Sequence, residues 1–94
     1  MRQLHFDFSG SVVLITGAAN GIGKQLAERF AAGGAHLVLA DRSEAVEAVA
    51  RALGDTHLAA VLDVSEEDAV EAMVTQAIER FGHIDVLVNN AGIG

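Results

Sequence analysis

The chain has 94 residues, of which 51% are hydrophobic and 20% charged, and this balance predicts one small folded domain with a marginal core. Its formal net charge of −7 would repel the phosphates of nucleic acid and an anionic membrane surface, so we expect neither as a partner. It has no cysteine, no basic leader followed by an apolar run and no apolar stretch of membrane-spanning length, so a cytoplasmic location is the default expectation.

Two apolar runs and the helix between them open the predicted fold. Residues 12–15 are a continuous, mostly β-branched run ending at Gly17, which is typical of a strand buried on both faces. From Gly21 the apolar period becomes that of a helix, and this pattern stops at the glycine pair 33–34. Residues 36–40 then predict a second buried strand.

The same alternation continues to the end of the chain. Ser43 is predicted to cap the second helix, and residues 57–62 predict a third, shorter strand. Ser65 is predicted to cap the third and longest helix, which has three acidic residues in its first turn. Residues 84–88 predict a fourth strand, interrupted only by Asp85.

Strands that alternate with amphipathic helices at this spacing pair in parallel through right-handed crossovers. The chain is therefore predicted to form a doubly wound α/β sheet, and the strand order 3-2-1-4 is expected for the first half of such a sheet. The first two helices should cover one face and the third helix only part of the other, with residues 84–88 as an apolar edge. We see no repeat or linker, so residues 1–94 are treated as one unit.

Histidines are the candidate metal ligands in a chain that lacks cysteine. They stand at His5, His36, His57 and His83, with no recognised ligand spacing. We therefore predict no metal site and expect four ordinary solvated residues beside strand starts.

The segment Thr-Gly-Ala-Ala-Asn-Gly-Ile-Gly at residues 16–23 is the most informative motif for function. Glycines between a strand and a helix let the backbone turn sharply, bring N–H groups close to a ligand and let the helix pack tightly on the strand. The following helix N-terminus presents unpaired N–H donors and a partial positive charge, which suits a pyrophosphate even in an acidic protein. The alternative is a turn that merely needs small residues. A P-loop is excluded, because Lys24 is followed by Gln25 and the glycine spacing is different.

Asp41 supplies the context that favours a binding role for the glycines. It ends the second predicted strand, eighteen residues after Gly23, where a carboxylate can accept hydrogen bonds from the adenosine ribose of a dinucleotide. The alternative is a capping or solvated aspartate.

The pattern Gly17-x-x-x-Gly21-x-Gly23 differs from the common dinucleotide fingerprint and resembles that of the NAD-preferring group of the short-chain dehydrogenase/reductase family. Asn89-Asn90-Ala91-Gly92 after the fourth strand is similar to the second signature of that family. Asp63-Val64 after the third strand is similar to its adenine-contacting pair. The resemblance covers the chain from about residue 8 onward and implies a Rossmann-type sheet.

The resemblance also implies which residues contact the cofactor. These are Gly17, Ala19, Asn20, Gly21, Ile22, Gly23, Asp41, Arg42, Asp63, Val64, Asn90, Ala91 and Gly92. The glycine-rich segment would wrap the pyrophosphate and the adjacent ribose, and Asp41 would bind the adenosine ribose with Arg42 near the adenine. Asp63 would accept from the adenine amino group, and the Val64 backbone would complete that contact. Asn90, Ala91 and Gly92 would line the floor under the nicotinamide ribose. The alternative for Asn90 is that its amide hydrogen-bonds backbone at a strand end and connects neighbouring strands.

NAD is implied as the cofactor in preference to NADP. The extra phosphate of NADP would approach the Asp41 carboxylate, and Asn20 supplies no positive charge to receive it. Arg42 could offset part of this repulsion, so we expect a modest preference.

Catalysis in the family is implied to use a tyrosine made more acidic by a lysine, with a serine that orients the substrate oxygen. Those residues follow the second signature, and this chain contains no tyrosine. No catalytic residue is therefore assigned. The resemblance implies an alcohol or ketone substrate and a homo-oligomer for the full-length protein.

Two interpretations stay open. The chain is either the NAD-binding N-terminal part of an oxidoreductase, or a non-catalytic nucleotide-binding or interaction module complete in 94 residues. We favour the first, because the chain stops at a strand end inside a motif. The sequence does not specify the substrate, the direction of reaction or the oligomeric state.

Overall fold

The protein, seen in a computed structural model that describes residues 7–90, is a four-stranded parallel sheet with helices on both faces. The elements in chain order are β1 (Val12–Thr16), α1 (Gly21–Ala32), β2 (His36–Asp41), α2 (Ala45–Leu53), β3 (Leu58–Val61), α3 (Glu67–Phe81) and β4 (Val86–Val88). The strand order is β3-β2-β1-β4, and all three pairings are parallel. The predicted doubly wound half-sheet and its 3-2-1-4 order are confirmed.

β1 lies inside the sheet, because it pairs with β2 on one side and with β4 on the other. Val13 is in register with Leu37 on one side and with Val86 on the other. All five residues of β1 are buried, as expected of a strand with helices over both faces.

Alternate residues of the central strands enter two separate cores. Val13 and Ile15 of β1 pack with Leu37 and Leu39 of β2 against α1 and α2. The residues between them, such as Leu14, pack against Met73 and Ala77 of α3. This is the predicted distribution of helices, two on one face and one on the other, and it follows from right-handed crossovers.

The core on the α3 face is open on the side of β4. Leu87 is paired with the buried Leu14 yet remains 64% exposed, and Ile78 of α3 is 43% exposed. A cavity of about 260 Å³ opens between these elements. Its lining residues are Leu14, Thr16, Val64, Val70, Met73, Val74, Ile84, Leu87 and Asn89.

Among the described residues, no helix is long and apolar enough to cross a membrane.

Carboxylate turns precede both helices. The Ser43 Oγ atom accepts the Ala45 N–H at 3.1 Å, as predicted for the cap of α2, whereas the cap predicted at Ser65 is wrong, because its hydroxyl donates to the Asp63 carboxylate. The carboxylates of Asp41 and Asp63 each accept the backbone N–H two residues later, at 2.9 Å. α2 then begins at Ala45, and α3 begins at Glu67 after Glu66 as its N-cap residue. Local hydrogen bonds of this kind compete with helix formation.

The third and fourth strands are shorter than predicted because side chains replace backbone acceptors at their starts. The His57 Nδ1 atom accepts the N–H of Leu37 at 3.1 Å, and β3 begins only at Leu58. The Asp85 carboxylate accepts the N–H of Val12 at 2.8 Å, and β4 begins only at Val86. The expectation of ordinary solvated histidines is therefore wrong for His57. His5 lies outside the described residues.

Candidate cofactor-binding site

The turn between β1 and α1 depends on glycine at two positions. Gly17 has φ of 66° and Gly21 has φ of 58°, in the left-handed region that favours glycine. Between them, Ala18 and Ala19 are buried against the core of the α1 and α2 face. Apolar contacts of the two alanines therefore fix the turn to the core, while Asn20 and Gly21 are exposed to solvent.

Gly23 is required for a different reason, which is the close approach of α1 to the turn. A Cβ atom at this position would collide with the carbonyl oxygen of Gly17 and would lie 2.8 Å from the Asn90 Nδ2 atom. The predicted role of this glycine in tight helix packing agrees with that geometry.

The N-terminus of α1 is left without a side-chain partner. Asn20 is the N-cap residue in an extended conformation, but its side chain makes no capping hydrogen bond, and the first turn contains no acidic residue. The first helical hydrogen bond runs from the Lys24 N–H to the Asn20 carbonyl oxygen at 3.3 Å. The N–H groups before Lys24 therefore stand at the positive end of the helix dipole, where an anion would be stabilised.

Asp41 stands directly beside this turn at the carboxyl end of β2. Its Oδ2 atom accepts the N–H of Ala19 at 2.9 Å, and its Oδ1 atom accepts the N–H of Ser43 at the same distance. The Ala18 N–H also donates to the Ala40 carbonyl oxygen at 3.2 Å, which joins the turn to the same strand. The carboxylate predicted to bind ribose is thus placed within reach of the glycine-rich segment.

The end of β3 contributes a second carboxylate to the same edge of the sheet. The Arg42 Nε atom lies 3.8 Å from the Asp63 Oδ2 atom, and the Arg42 side chain is 80% exposed. Hydrogen bonds from the Ser65 backbone and side chain hold the pKa of Asp63 below its usual value, and Arg42 adds to this effect. Val64, next in the chain, is partly exposed.

The end of β4 is tied to the glycine-rich turn by polar side chains. The Asn90 Nδ2 atom donates to the Gly17 carbonyl oxygen at 3.3 Å. The Thr16 hydroxyl oxygen accepts the Asn90 backbone N–H at 2.9 Å and lies 3.2 Å from the Asn89 Oδ1 atom. Thr16 is a residue of the site that was not predicted, although a threonine at the last position of an otherwise apolar strand was the available signal. Ala91 and Gly92 lie outside the described residues.

The predicted site residues that the structure describes therefore gather at the carboxyl ends of the strands. This is the edge at which open α/β sheets bind ligands, outside the point where the strand order reverses. The reversal lies at β1, between β2 and β4. No group of three histidine, aspartate, glutamate or cysteine side chains within residues 7–90 has an arrangement that could hold a metal.

Comparisons with known proteins identify the family of the chain. A family model described as short chain dehydrogenase matches residues 11–94. Meso-2,3-butanediol dehydrogenase of Serratia marcescens is 51% identical over 88 residues, which cover 92% of this chain and 35% of that protein. 3beta-hydroxysteroid dehydrogenase 2 of Eggerthella lenta is 44% identical over 89 residues, covering 90% of this chain and 34% of that protein.

A solved structure gives the same result for the fold. The 3-ketoacyl-(acyl-carrier-protein) reductase from Brucella melitensis, complexed with NADH, superposes with a TM-score of 0.89 at 49% identity. The match covers 94% of this chain and 36% of that one, so the chain spans about a third of the length of the relatives it matches. The family match, the sheet order and the glycine-rich turn agree, and the chain belongs to the short-chain dehydrogenase family.

Proposed function

We propose that residues 1–94 are the N-terminal cofactor-binding part of an oxidoreductase that transfers a hydride between NAD and an alcohol or carbonyl substrate. The observation that carries this proposal is the contact between the Asp41 carboxylate and the Ala19 N–H beside the uncapped N-terminus of α1. It brings an acceptor for ribose hydroxyls and a set of donors for a pyrophosphate to one place. The NADH complex of the similar reductase supports the same assignment.

In this proposal each end of the dinucleotide has its own part of the sheet edge. The N–H groups at the start of α1 bind the pyrophosphate, and Asp41 accepts hydrogen bonds from the adenosine ribose. Asp63 and the backbone of Val64 bind the adenine, with Arg42 beside it. Asn90, Ala91 and Gly92 line the nicotinamide ribose. When bound, the cofactor supplies the nicotinamide ring that accepts or gives the hydride.

The preference for NAD over NADP rests on the charges around Asp41. The exposed guanidinium of Arg42 is the nearby cation, and it already faces Asp63 at 3.8 Å. One cation near the two carboxylates of Asp41 and Asp63 leaves a net negative site, which disfavours an additional phosphate. The preference should be modest, because exposed charges are screened by solvent and salt.

In this proposal the acid–base tyrosine and lysine belong to the rest of the oxidoreductase, because residues 1–94 contain no tyrosine. The relatives named above are called a butanediol dehydrogenase, a hydroxysteroid dehydrogenase and a ketoacyl reductase. Such varied names on similar N-terminal segments suggest that this part of the fold does not select the substrate. A homo-oligomer and a cytoplasmic location belong to the same proposal.

Titration of the intact protein with NAD and with NADP tests the proposed function. We expect NAD to bind about three- to tenfold more tightly, which corresponds to about 1 kcal/mol of repulsion at an exposed charged site. NADP binding that equals or exceeds NAD binding would overturn the cofactor preference. The absence of binding by both dinucleotides would overturn the function itself.

A further inference from the structure

The carboxylate of Asp41 joins two turns that are separate in the sequence. Its two oxygen atoms accept N–H groups of Ala19 and Ser43, each at 2.9 Å. Ala19 is only 7% exposed, so its N–H has little access to water. A buried N–H that loses its acceptor destabilises the folded state, and the Asp41 side chain therefore contributes to the shape of the turn.

The bond to Asp41 lies closest to the part of the turn that would face a ligand. Within residues 7–90, hydrogen bonds fix the turn to the neighbouring strands at Gly17, Ala18 and Ala19. The bonds at Gly17 and Ala18 lie at the start of the turn. The bond at Ala19 directly precedes the exposed residues Asn20 and Gly21. Release of Ala19 would therefore free the segment that leads into the N-terminus of α1.

A ribose could bind to Asp41 without breaking either of these bonds. An ionised carboxylate has about four lone-pair positions, and the two backbone N–H groups use one on each oxygen. One position on each oxygen remains for the two adjacent hydroxyl groups of a ribose. The same carboxylate can hold the turn and a ribose together.

We propose that Asp41 is a positioning residue for the pyrophosphate site as well as a ligand of the ribose. By holding the Ala19 N–H, it fixes the turn so that the N–H groups at the start of α1 converge on an anion. This inference rests on the proposed dinucleotide-binding function. It implies that Asp41 controls the affinity for a ligand group that its own side chain does not touch.

A purely electrostatic role of Asp41 and a positioning role predict opposite effects of the variant Asp41→Asn. If Asp41 acted on a nearby anion only through its charge, neutralising it would remove repulsion and tighten pyrophosphate binding. If Asp41 holds the turn, the same change weakens pyrophosphate binding, because an asparagine has one acceptor oxygen for two N–H groups. The variant Asp41→Glu keeps the charge but displaces the carboxylate by one methylene group, and it should also weaken binding.

Asp63→Asn is the matched control. Asp63 also follows a strand, and its Oδ1 atom also accepts the N–H two residues later, that of Ser65, at 2.9 Å. Its Oδ2 atom faces Arg42 and not the glycine-rich turn. Asp63→Asn therefore removes an equivalent charge at the end of a strand while leaving the Asp41 acceptor of the Ala19 N–H in place.

The first measurement is amide hydrogen exchange of the intact protein without added ligand. In Asp41→Asn and Asp41→Glu we expect the Ala19 amide to exchange at least about tenfold faster. The reason is that loss of the acceptor increases the population in which this amide is not hydrogen-bonded. The Ala18 amide, which is bonded to the Ala40 carbonyl, should be unchanged. Unchanged protection of Ala19 in both variants would overturn the proposal, and Asp63→Asn should leave both amides as in the wild type.

The second measurement is titration with inorganic pyrophosphate, followed by the NMR signals of the Gly21 and Ile22 amides. We expect the dissociation constant to rise at least about threefold in both Asp41 variants and not to rise in Asp63→Asn. Equal or tighter binding by Asp41→Asn would overturn the positioning role while leaving the proposed function intact. Failure of the wild type to bind NAD would instead overturn the proposed function, and the exchange measurement would still show whether Asp41 holds the turn.

Discussion

At the scale of single residues, the site depends on the absence of a side chain at Gly23. Gly23 lets α1 approach the turn so closely that the Gly17 carbonyl oxygen and the Asn90 side chain occupy the space of a Cβ atom. The Gly17 carbonyl is backbone and cannot rotate away. A methyl group at residue 23 must therefore move either the helix or the turn.

We expect Gly23→Ala to destabilise the protein by about 1–3 kcal/mol, as in other overpacked sites, and to weaken NAD binding at least about tenfold. Gly82→Ala is the control, because Gly82 also disfavours a side chain, through its φ of 87°, but has open space around it and lies at the end of α3. It should lower the melting temperature without changing the affinity. Thermal unfolding and NAD titration of both variants provide the test, and wild-type affinity in Gly23→Ala would contradict it.

The residues of the site differ in how far the sequence could predict them. Gly17, Gly21 and Asp41 follow local rules for turns and strand ends, and the structure places them together. The role of Thr16 depends on Asn90, which is 74 residues away in the chain. No local pattern specifies a partner at that distance, so a threonine at the end of an apolar strand marks the position without giving its role.

At the scale of elements, the starts of β3 and β4 share one device. A side-chain acceptor, the His57 ring or the Asp85 carboxylate, takes the N–H that a backbone carbonyl of the ladder would otherwise take. Periodicity located both strands, but it could not place their first residues, because apolar spacing does not encode which atom accepts a hydrogen bond. The start of α3 after Asp63 differs from prediction for a related reason, since the aspartate forms a turn that delays the helix.

The His57 contact should make the stability of the protein depend on pH. Burial lowers the pKa of His57, with smaller contributions from the Leu53 carbonyl, which opposes the shift, and from His36 and Arg80, which add to it. The fold therefore favours the neutral ring, and the unfolded chain binds more protons below its ordinary pKa of about 6.5. The stabilisation is fully present above that pH and is lost as the pH falls below it toward the lowered pKa of the folded state.

The test compares wild type with His57→Asn, in which an amide oxygen can accept the Leu37 N–H without titrating. Between pH 7.5 and 5.5 we expect the free energy of unfolding of the intact protein to fall more steeply in the wild type than in the variant. Urea unfolding at a series of pH values measures these slopes, and identical slopes for wild type and His57→Asn would refute the assignment.

At the scale of the whole molecule, the two faces of the sheet are unequal. The α1 and α2 face is closed over Ile15, Leu37 and Leu39, whereas the α3 face leaves Leu87 and Ile78 exposed beside an edge strand. Apolar surface next to unpaired backbone groups promotes association with another chain. The sequence predicted this asymmetry because the handedness of crossovers fixes the face of each helix.

We therefore expect residues 1–94 expressed alone to be aggregated, dimeric or molten. Leu87→Gln should reduce the association more than Val61→Gln, a matched change of an exposed apolar residue on the opposite edge strand. Sedimentation and near-ultraviolet circular dichroism, the latter from only four phenylalanines, would measure this. A monodisperse monomer with cooperative thermal unfolding would show that the half-sheet is self-sufficient and would favour the binding-module interpretation.

The same isolated segment should show no dehydrogenase turnover with any alcohol. A glycine-rich turn that positions a cofactor cannot replace a general acid–base group, and the chain has no tyrosine to act as one. The absorbance of NADH produced by purified residues 1–94 with 2,3-butanediol and other alcohols is the measurement. Robust NADH production in preparations free of host enzymes would be incompatible with this expectation.

The central position of β1 has a consequence for how the protein is made on the ribosome. β1 is the first strand to be synthesised, yet its second neighbour is the last of the four, and the bonded residues Val12 and Asp85 are 73 positions apart. At roughly 5–20 residues per second, the side of β1 that pairs with β4 stays unpaired for about 4–15 seconds of synthesis. During that interval the apolar run Val12–Thr16 is an open strand edge within a nascent polypeptide. Translation speed between codons 16 and 86 should therefore influence the yield of folded protein more than translation speed before β1.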